Sequence, residues 1–330
     1  MATTLVDIAK ATSTSVSTVS RVLAGGIIAN RISKETRERV QLAAEKLDYR
    51  PNLVARTLRT RRSNTIALLV SDIANPFYAQ IASLVERRLH EHGYSLFLCN
   101  SGETASREDE YVQLLLQKTI DGLILVPVTT NRDHLLHTIP SKVPLVILDR
   151  PIDGIAASVA SDQVQSAKML CETLKKSGIE KVAVVSGPLQ VFTHNIRAQA
   201  AHNHFTVVKA VEGANTSPDV GRDAAAVLME AKPEAIVCTN NHLAMGLIDA
   251  LVQTDNPPII GVFDEVPMMH VIPIPIVCAV QDVNALAEGC VNQLMPLLSA
   301  EGNVNASPMT IPGTIATNRA FDLRMKRASK

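Results

Sequence analysis

The chain has 330 residues, 46% of them hydrophobic and 19% charged, with no tryptophan and a formal net charge of zero. This length allows one to three domains, and the composition is that of a globular protein whose core is built from Ala, Val, Leu and Ile, since aromatics are only 3%. No apolar run reaches the roughly 18 residues of a membrane helix, and MATTLVDIAK has no basic stretch leading into an apolar one, so a cytoplasmic chain with no membrane partner is expected.

The zero net charge hides a division. Residues 1–62 hold 12 basic and 5 acidic side chains, and the remainder holds 20 and 27. A compact basic module joined to an acidic body is the footprint of contact with nucleic acid. Residues 1–50 read as three short helices. In the first, Leu5, Ile8 and Ala9 share a face. After a turn through Thr12–Thr14, Ser15 caps a second helix in which Val16, Val19, Val22 and Leu23 recur at helical spacing and are expected to point inward. Ser17, Thr18, Ser20 and Arg21 are left outside, and Gly25–Gly26 end the helix. Ser33 caps the third, with Val40, Ala43, Ala44 and Leu47 as its buried stripe. A tight turn between the first two helices makes this a helix-turn-helix pattern.

Residues 51–63 follow as a basic segment, NLVARTLRTRR, whose helix of about eight residues is marginal alone in water. From Thr65 the rhythm changes. TIALLV, SLFLC, DGLILVP, PLVILD, KVAVVSG, EAIVCTN and PIIGVF are short apolar runs, separated by amphipathic helical stretches at 77–92, 105–118, 162–176, 217–231 and 241–252. Strands alternating with helices imply parallel sheets covered on both faces. About ten strands exceed one comfortable sheet, so residues 64–330 read as two α/β lobes with a ligand cleft at the carboxyl ends of the strands. Five scattered cysteines without CxxC spacing read as reduced thiols, not a disulfide framework or zinc site.

The headpiece TLVDIAKA…SVSTVSRVL…ISKETRERV…LDYRPNLVARTLRTRR resembles the lactose-repressor (LacI–GalR) family of bacterial transcription regulators. NPFYAQI, DGLIL, LDRP, SGP with Arg197 downstream, FDE and Gln281 extend the resemblance in order along the chain. It implies two Rossmann-like lobes of the periplasmic-binding-protein type with an interlobe cleft, the first of about 64–160 plus 283–312 and the second of about 161–282 plus 313–330. It also implies a homodimer on double-stranded DNA, a pseudo-palindromic operator, and control by a small sugar, nucleoside or sugar phosphate. The second helix, with Ser15, Val16, Ser17, Thr18, Ser20 and Arg21, then looks like a recognition helix. Short hydroxyls suit phosphates and base edges, and a planar guanidinium suits guanine. Residues 51–63 look like a hinge helix with Asn52 as cap, Ala55 one turn on, and Leu58 as a wedge for the minor groove. Family effectors touch the positions of Phe77, Tyr78, Asp149, Arg150, Arg197, Asn240, Asp264 and Gln281, and Phe192 is a further aromatic wall.

The chain departs from the family pattern at several positions. Ser13 replaces the tight-turn glycine, the loop before the third helix is longer, AQAAH follows Arg197, and Asn215 and Asn241 replace an aromatic and an aspartate. No GxGxxG, P-loop or GxSxG motif points to an enzyme, and His134, His137, His202 and His204 have no further ligands at metal spacing, so neither metal nor cofactor is expected. The reading from a different class is a sugar-binding protein without DNA function, against which the basic headpiece speaks.

Overall fold

The computed structural model describes residues 3–24, 31–49, 62–299 and 306–328. The chain divides into two compact units, one of residues 1–63 and one of residues 64–330. In the first, α1 (Leu5–Thr12), α2 (Val16–Ala24) and α3 (Lys34–Lys46) enclose a small core of Ile8, Ala9, Val19, Val22, Val40 and Ala44. A capping box starts α1: the Thr4 hydroxyl accepts from the Asp7 N–H, and the Asp7 carboxylate accepts from the Thr4 N–H. The turn into α2 passes through Ser13, whose φ of 50° is left-handed. Glycine takes that conformation freely, whereas a serine there is strained. The Thr12 and Thr14 hydroxyls hydrogen-bond each other at 2.8 Å, and Thr12 also donates to the Ile8 carbonyl.

Two of the expected core positions lie elsewhere. Val16 is 41% exposed, because it stands at the first position of α2, a turn ahead of Val19, where the core begins. Leu47 is 38% exposed, because α3 has already ended at Lys46 and Leu47 is its C-cap. The hinge positions Asn52, Ala55 and Leu58 lie outside the described residues.

The described residues of the body form two six-stranded sheets. The first is built from β1 (Thr65–Val70), β2 (Ser95–Asn100), β3 (Gly122–Leu125), β4 (Leu145–Leu148), β5 (Ser158–Ser161) and β11 (Met309–Ile311), in the order β11-β5-β4-β3-β1-β2, all parallel. The second is built from β6 (Lys181–Ser186), β7 (Thr206–Glu212), β8 (Ala235–Cys238), β9 (Ile259–Phe263), β10 (Ile276–Val280) and β12 (Thr314–Thr317). Its order is β12-β10-β9-β8-β6-β7, with only β12 antiparallel to its neighbour. The central strands are buried on both faces, which is why they read as continuous apolar runs without alternation.

Helices cover the sheets: α4 (Pro76–Glu91), α5 (Ala105–Gln117), α6 (Arg132–Thr138), α7 (Gln163–Lys176), α8 (Phe192–His204), α9 (Pro218–Glu230), α10 (Asn241–Leu251), α11 (Val283–Ser299) and α12 (Arg319–Ala328). The chain passes between the sheets three times, at Asp162 after β5, at Gln281–Asp282 after β10, and between β11 and β12. Helix α11 returns to pack in the core of the first sheet. Among the described residues no helix is long and apolar enough to cross a membrane, and all five cysteines are buried and free.

Two packing devices set the frame of the second sheet. Helices α9 and α10 approach so closely that a Cβ on Gly246 would lie 1.6 Å from the Pro218 carbonyl oxygen, and one on Gly221 would lie 2.0 Å from that of Leu243. That approach holds the start of α10 beside the loop that carries Thr216. The second device is Asn318, which is fully buried at the start of α12. Its side-chain oxygen accepts from the N–H groups of Ile276 and Phe321, and its amide donates to the carbonyls of Met269, Ile272 and Ile274. Replacing it with alanine strands several buried backbone groups at once, each costing about 1–3 kcal/mol. Asn318→Ala should therefore lower stability by about 3 kcal/mol in urea denaturation, and a loss below about 1 kcal/mol would show that Asn318 does not tie these segments together.

Candidate functional site

Two surfaces of the molecule carry unusual chemistry. On the headpiece it is α2. The Ser15 hydroxyl caps the helix by accepting from the Thr18 N–H at 3.1 Å, and lies 2.8 Å from the hydroxyls of both Ser17 and Thr18. Val16, Ser17 and Arg21 are exposed, and Thr18 and Ser20 are half-buried. The first turns of α2 thus present hydroxyls, a valine methyl face and a guanidinium together. These are the groups that fit base edges and phosphates in a major groove.

In the body, loops at the carboxyl ends of strands from both sheets enclose a cavity of about 20 Å³, room for about one water molecule. Phe77, Tyr78, Asp149, Arg150, Arg197, Asn240, Asp264 and Gln281 all line it, so the structure brings together eight of the nine residues expected there. Phe192 stands apart. The residue is 40% exposed and borders a neighbouring cavity of about 250 Å³, together with Pro127, Ile152 and Gln190. It is the first residue of α8, and the helix carries Thr193, His194 and Arg197 into the cleft instead.

The first sheet's contribution is organised around Arg150. Its guanidinium donates to both oxygens of Glu103 at 2.8 and 2.5 Å, to the Pro127 carbonyl at 3.3 Å and to the Ser71 hydroxyl at 3.3 Å. These partners follow β2, β3 and β1, and Arg150 itself follows β4, so one side chain fastens four strand ends. Asp149 beside it accepts from the Tyr78 hydroxyl at 2.8 Å. Burial and the neighbouring Asp149 charge push the Tyr78 phenol up, so it stays a donor. Burial, the largest single influence, works to raise Glu103, but the hydrogen bonds and charge of Arg150 together with the Ser71 hydroxyl outweigh it and hold Glu103 below its ordinary value. Tyr78 and Phe77 open α4 as an edge-to-face pair with centroids 5.0 Å apart, placed by the Asn75 cap and Pro76.

The second sheet's counterpart is Arg197. Its Nε and one Nη donate to the Gln163 side-chain oxygen at 3.0 and 2.9 Å, and its other Nη donates to the Thr239 carbonyl at 2.8 Å. Gln163 donates to Gln281 at 3.1 Å, Gln281 donates to Asp264 at 2.5 Å, and Asp264 lies 3.7 Å from Arg197. The four side chains close a ring at two of the three crossovers. The Arg197 guanidinium also stacks on Phe263, 4.6 Å from the ring centroid. Burial raises Asp264 more than the Arg197 charge and the Gln281 bond lower it.

Asp149 and Asp264 each follow a central strand, β4 and β9, with left-handed φ angles of 68° and 70°. Such conformations cost about 1–3 kcal/mol each and concentrate at functional sites. Two buried atoms of residues lining the cavity have no hydrogen-bond partner: Asp149 Oδ1, an acceptor, and Arg150 Nε, a donor that lies 3.9 Å from Asp149 Oδ2. A hydroxyl group both donates and accepts, so one sugar hydroxyl satisfies both.

Asp72, Asn75, Glu103, Thr193, His194 and Thr216 also line the cavity and were not among the expected residues. His194 and Arg197 are three apart on α8, on one face, and that spacing was the available signal for His194. Glu103 carries no such signal, being a single loop carboxylate. His242, on α10, reaches across the cleft to the β1–α4 loop, 3.2 Å from the Ala74 carbonyl and 3.5 Å from Asp72. Among the described residues no group of three side chains could hold a metal ion.

Burial, with the charges of Arg197 and Arg150, pulls the His194 imidazole down to about 3. The folded state therefore holds it neutral while the unfolded chain takes up a proton near pH 6.5, so stability falls as pH falls through that window. Between pH 7 and 5 this proton costs about 2 kcal/mol. Urea denaturation of wild type and His194→Gln at both pH values should show the wild type losing about that much more; equal losses would show that His194 is not held neutral.

Comparison with known proteins places these surfaces. Residues 4–52 match the model of the bacterial regulatory proteins of the lacI family, and residues 63–257 match that of periplasmic binding proteins and the sugar binding domain of the LacI family. A ribose operon repressor of Halalkalibacterium halodurans is 33% identical over 279 residues, spanning 81% of each chain. That of Bacillus subtilis is 33% identical over 275 residues, spanning 80% of this chain and 82% of its own. In fold, the lac repressor dimer bound to operator and the anti-inducer ONPF superimposes with a TM-score of 0.82 at 22% identity, over 97% of this chain and 99% of that one. With a helix-turn-helix headpiece and a two-sheet body matched over most of their length, the chain belongs to the LacI family of bacterial regulatory proteins.

Proposed function

We propose that the protein is a transcriptional repressor that binds a pseudo-palindromic operator as a homodimer, and that a small sugar-like effector in the body's cavity changes its hold on DNA. The observation that carries this reading is one chain joining two complementary devices. A recognition-type helix presents Ser17 and Arg21 to solvent, and a buried cavity leaves Asp149 Oδ1 and Arg150 Nε for a hydroxyl. The ribose operon repressors among its relatives support a pentose of the ribose type as the effector.

In this reading Ser15, Val16, Ser17, Thr18, Ser20 and Arg21 of α2 enter the major groove. Arg21 makes the bidentate contact to guanine, and hydroxyls of the first turns meet phosphates. Residues 51–63, with Asn52, Ala55 and Leu58, serve the minor groove at the operator's centre. In the body, Asp149, Arg150, Arg197, Asn240, Asp264 and Gln281 bind hydroxyls, and Phe77 supplies the apolar wall. Because Asn240 caps α10 through its side-chain oxygen, its amide is the group that turns to the effector. A pentose is several times larger than one water molecule, so it enters only as the lobes part and rearrange about the crossovers. It shifts the equilibrium by its differential affinity for the two arrangements. The cavity is that of a receptor rather than a catalyst, and the protein acts where the DNA lies, in the cytoplasm.

Fluorescence anisotropy on a family-type palindromic duplex tests the DNA half of this reading. Affinity should fall steeply with salt, as expected when several phosphates are contacted. Arg21→Ala should cost about 1–3 kcal/mol of discrimination between the palindrome and a duplex mutated in its half-sites. Absent or salt-independent binding would contradict the repressor, and unchanged discrimination would remove Arg21 from base readout.

A further inference from the structure

We infer that Glu103 makes the effector cavity selective for uncharged sugars by occupying the face of Arg150 that an anionic sugar would need. This rests on the cavity being the effector site. A guanidinium has five N–H donors, and it recognises phosphate or carboxylate through two parallel ones. Four of those on Arg150 are engaged: two by Glu103, one by the Pro127 carbonyl and one by the Ser71 hydroxyl. The fifth, on Nε, has no hydrogen-bond partner and lies 3.9 Å from Asp149 Oδ2. One donor beside the Asp149 carboxylate reads a hydroxyl; it cannot form the fork that holds a phosphate.

Glu103 is built into this position. It sits in the turn after β2 at a left-handed φ of 55°, and its N–H donates to the Ser71 carbonyl at 3.0 Å. The same loop therefore supplies the carboxylate and ties it to the end of β1, beside the serine whose hydroxyl holds Arg150. In the other arginine each of the three guanidinium nitrogens already has an acceptor. Arg197 is engaged by Gln163 and the Thr239 carbonyl, with Asp264 3.7 Å away. Around the whole cavity Asp72, Glu103, Asp149 and Asp264 stand against only two guanidinium groups, and His194 is held neutral. A phosphorylated sugar would give up its hydration to meet a lining whose formal charge is negative and whose cations are already paired. An uncharged polyol meets donors and acceptors without that cost.

Isothermal titration calorimetry of the full chain with D-ribose and with D-ribose 5-phosphate tests this. The wild type should prefer D-ribose by about 100-fold or more. Glu103→Gln keeps the side chain's shape but removes its charge and frees part of Arg150, so the preference should shrink by about 10-fold or more through gained affinity for the phosphate. Cooperative unfolding and operator binding check that the variant is folded, and the wild-type ratio tests the inference without any variant. A role for Glu103 confined to structure would weaken both sugars together, and an unchanged ratio in Glu103→Gln would overturn the inference. So would a wild type that takes the phosphate as tightly as the free sugar, which leaves the effector reading standing. A wild type that binds neither overturns the effector reading itself, and the inference with it.

Discussion

Arg150 brings a full positive charge into the interior of the body, where it is only 7% exposed. An unpaired charge there would cost several kcal/mol, so the surrounding chain is committed to pairing it. The partners come from the ends of three other strands, and those ends must converge for the pairing to exist. The parallel order of β4, β3, β1 and β2 supplies the convergence, because all four carboxyl ends emerge on one side of the sheet. The second sheet solves the same problem with Arg197, whose partners are Gln163 at the first crossover, the Thr239 carbonyl after β8 and Asp264 after β9. Each sheet thus carries one buried cation and one aspartate in a left-handed conformation directly after a central strand. The cleft is where two such ends face each other.

This arrangement explains how a polar site remains specific. The charged side chains of Glu103, Arg150 and Arg197 in the lining are held by hydrogen bonds to their neighbours, which fixes their rotamers. The pairing of Tyr78 with Asp149 and of Gln281 with Asp264 turns each aspartate so that one oxygen is spoken for. The headpiece follows a different economy. Among the described residues its buried cluster is six side chains, accompanied by caps and short hydroxyl contacts around Thr4, Thr12 and Ser15. A small module of this kind gains from its partner what it lacks in core, since binding to the folded form adds to its stability.

Much of this was legible in the sequence, and the exceptions have physical causes. Strands such as TIALLV and EAIVCTN announced themselves because burial on both faces removes polar alternation. Strand β7, TVVKAVE, was not read because it is an edge strand, half exposed and interrupted by a lysine. Strands β5, β11 and β12 read SVAS, MTI and TIAT, where serines and threonines break the apolar run that marks the equally short β3, β4 and β8. Helix α8 was hidden for another reason: Thr193, His194 and Arg197 occupy its inner face, so its apolar stripe is broken where the site is made. The cavity residues found by resemblance came together, whereas Phe192 did not. Asp72 and Glu103 escaped because a loop carboxylate looks like a solvated one until its partner, in the case of Glu103 an arginine 47 residues away, is known.

The central claim is that occupation of the cavity in the body alters the grip of the headpiece on DNA. Operator affinity measured by fluorescence anisotropy with and without saturating D-ribose tests it most directly, with Asp149→Asn as the companion. Operator affinity of the wild type should change by at least about tenfold, as coupling of this kind commonly gives, and the variant should lose that change while still binding operator alone. Operator affinity that stays the same while calorimetry shows the sugar bound would contradict it.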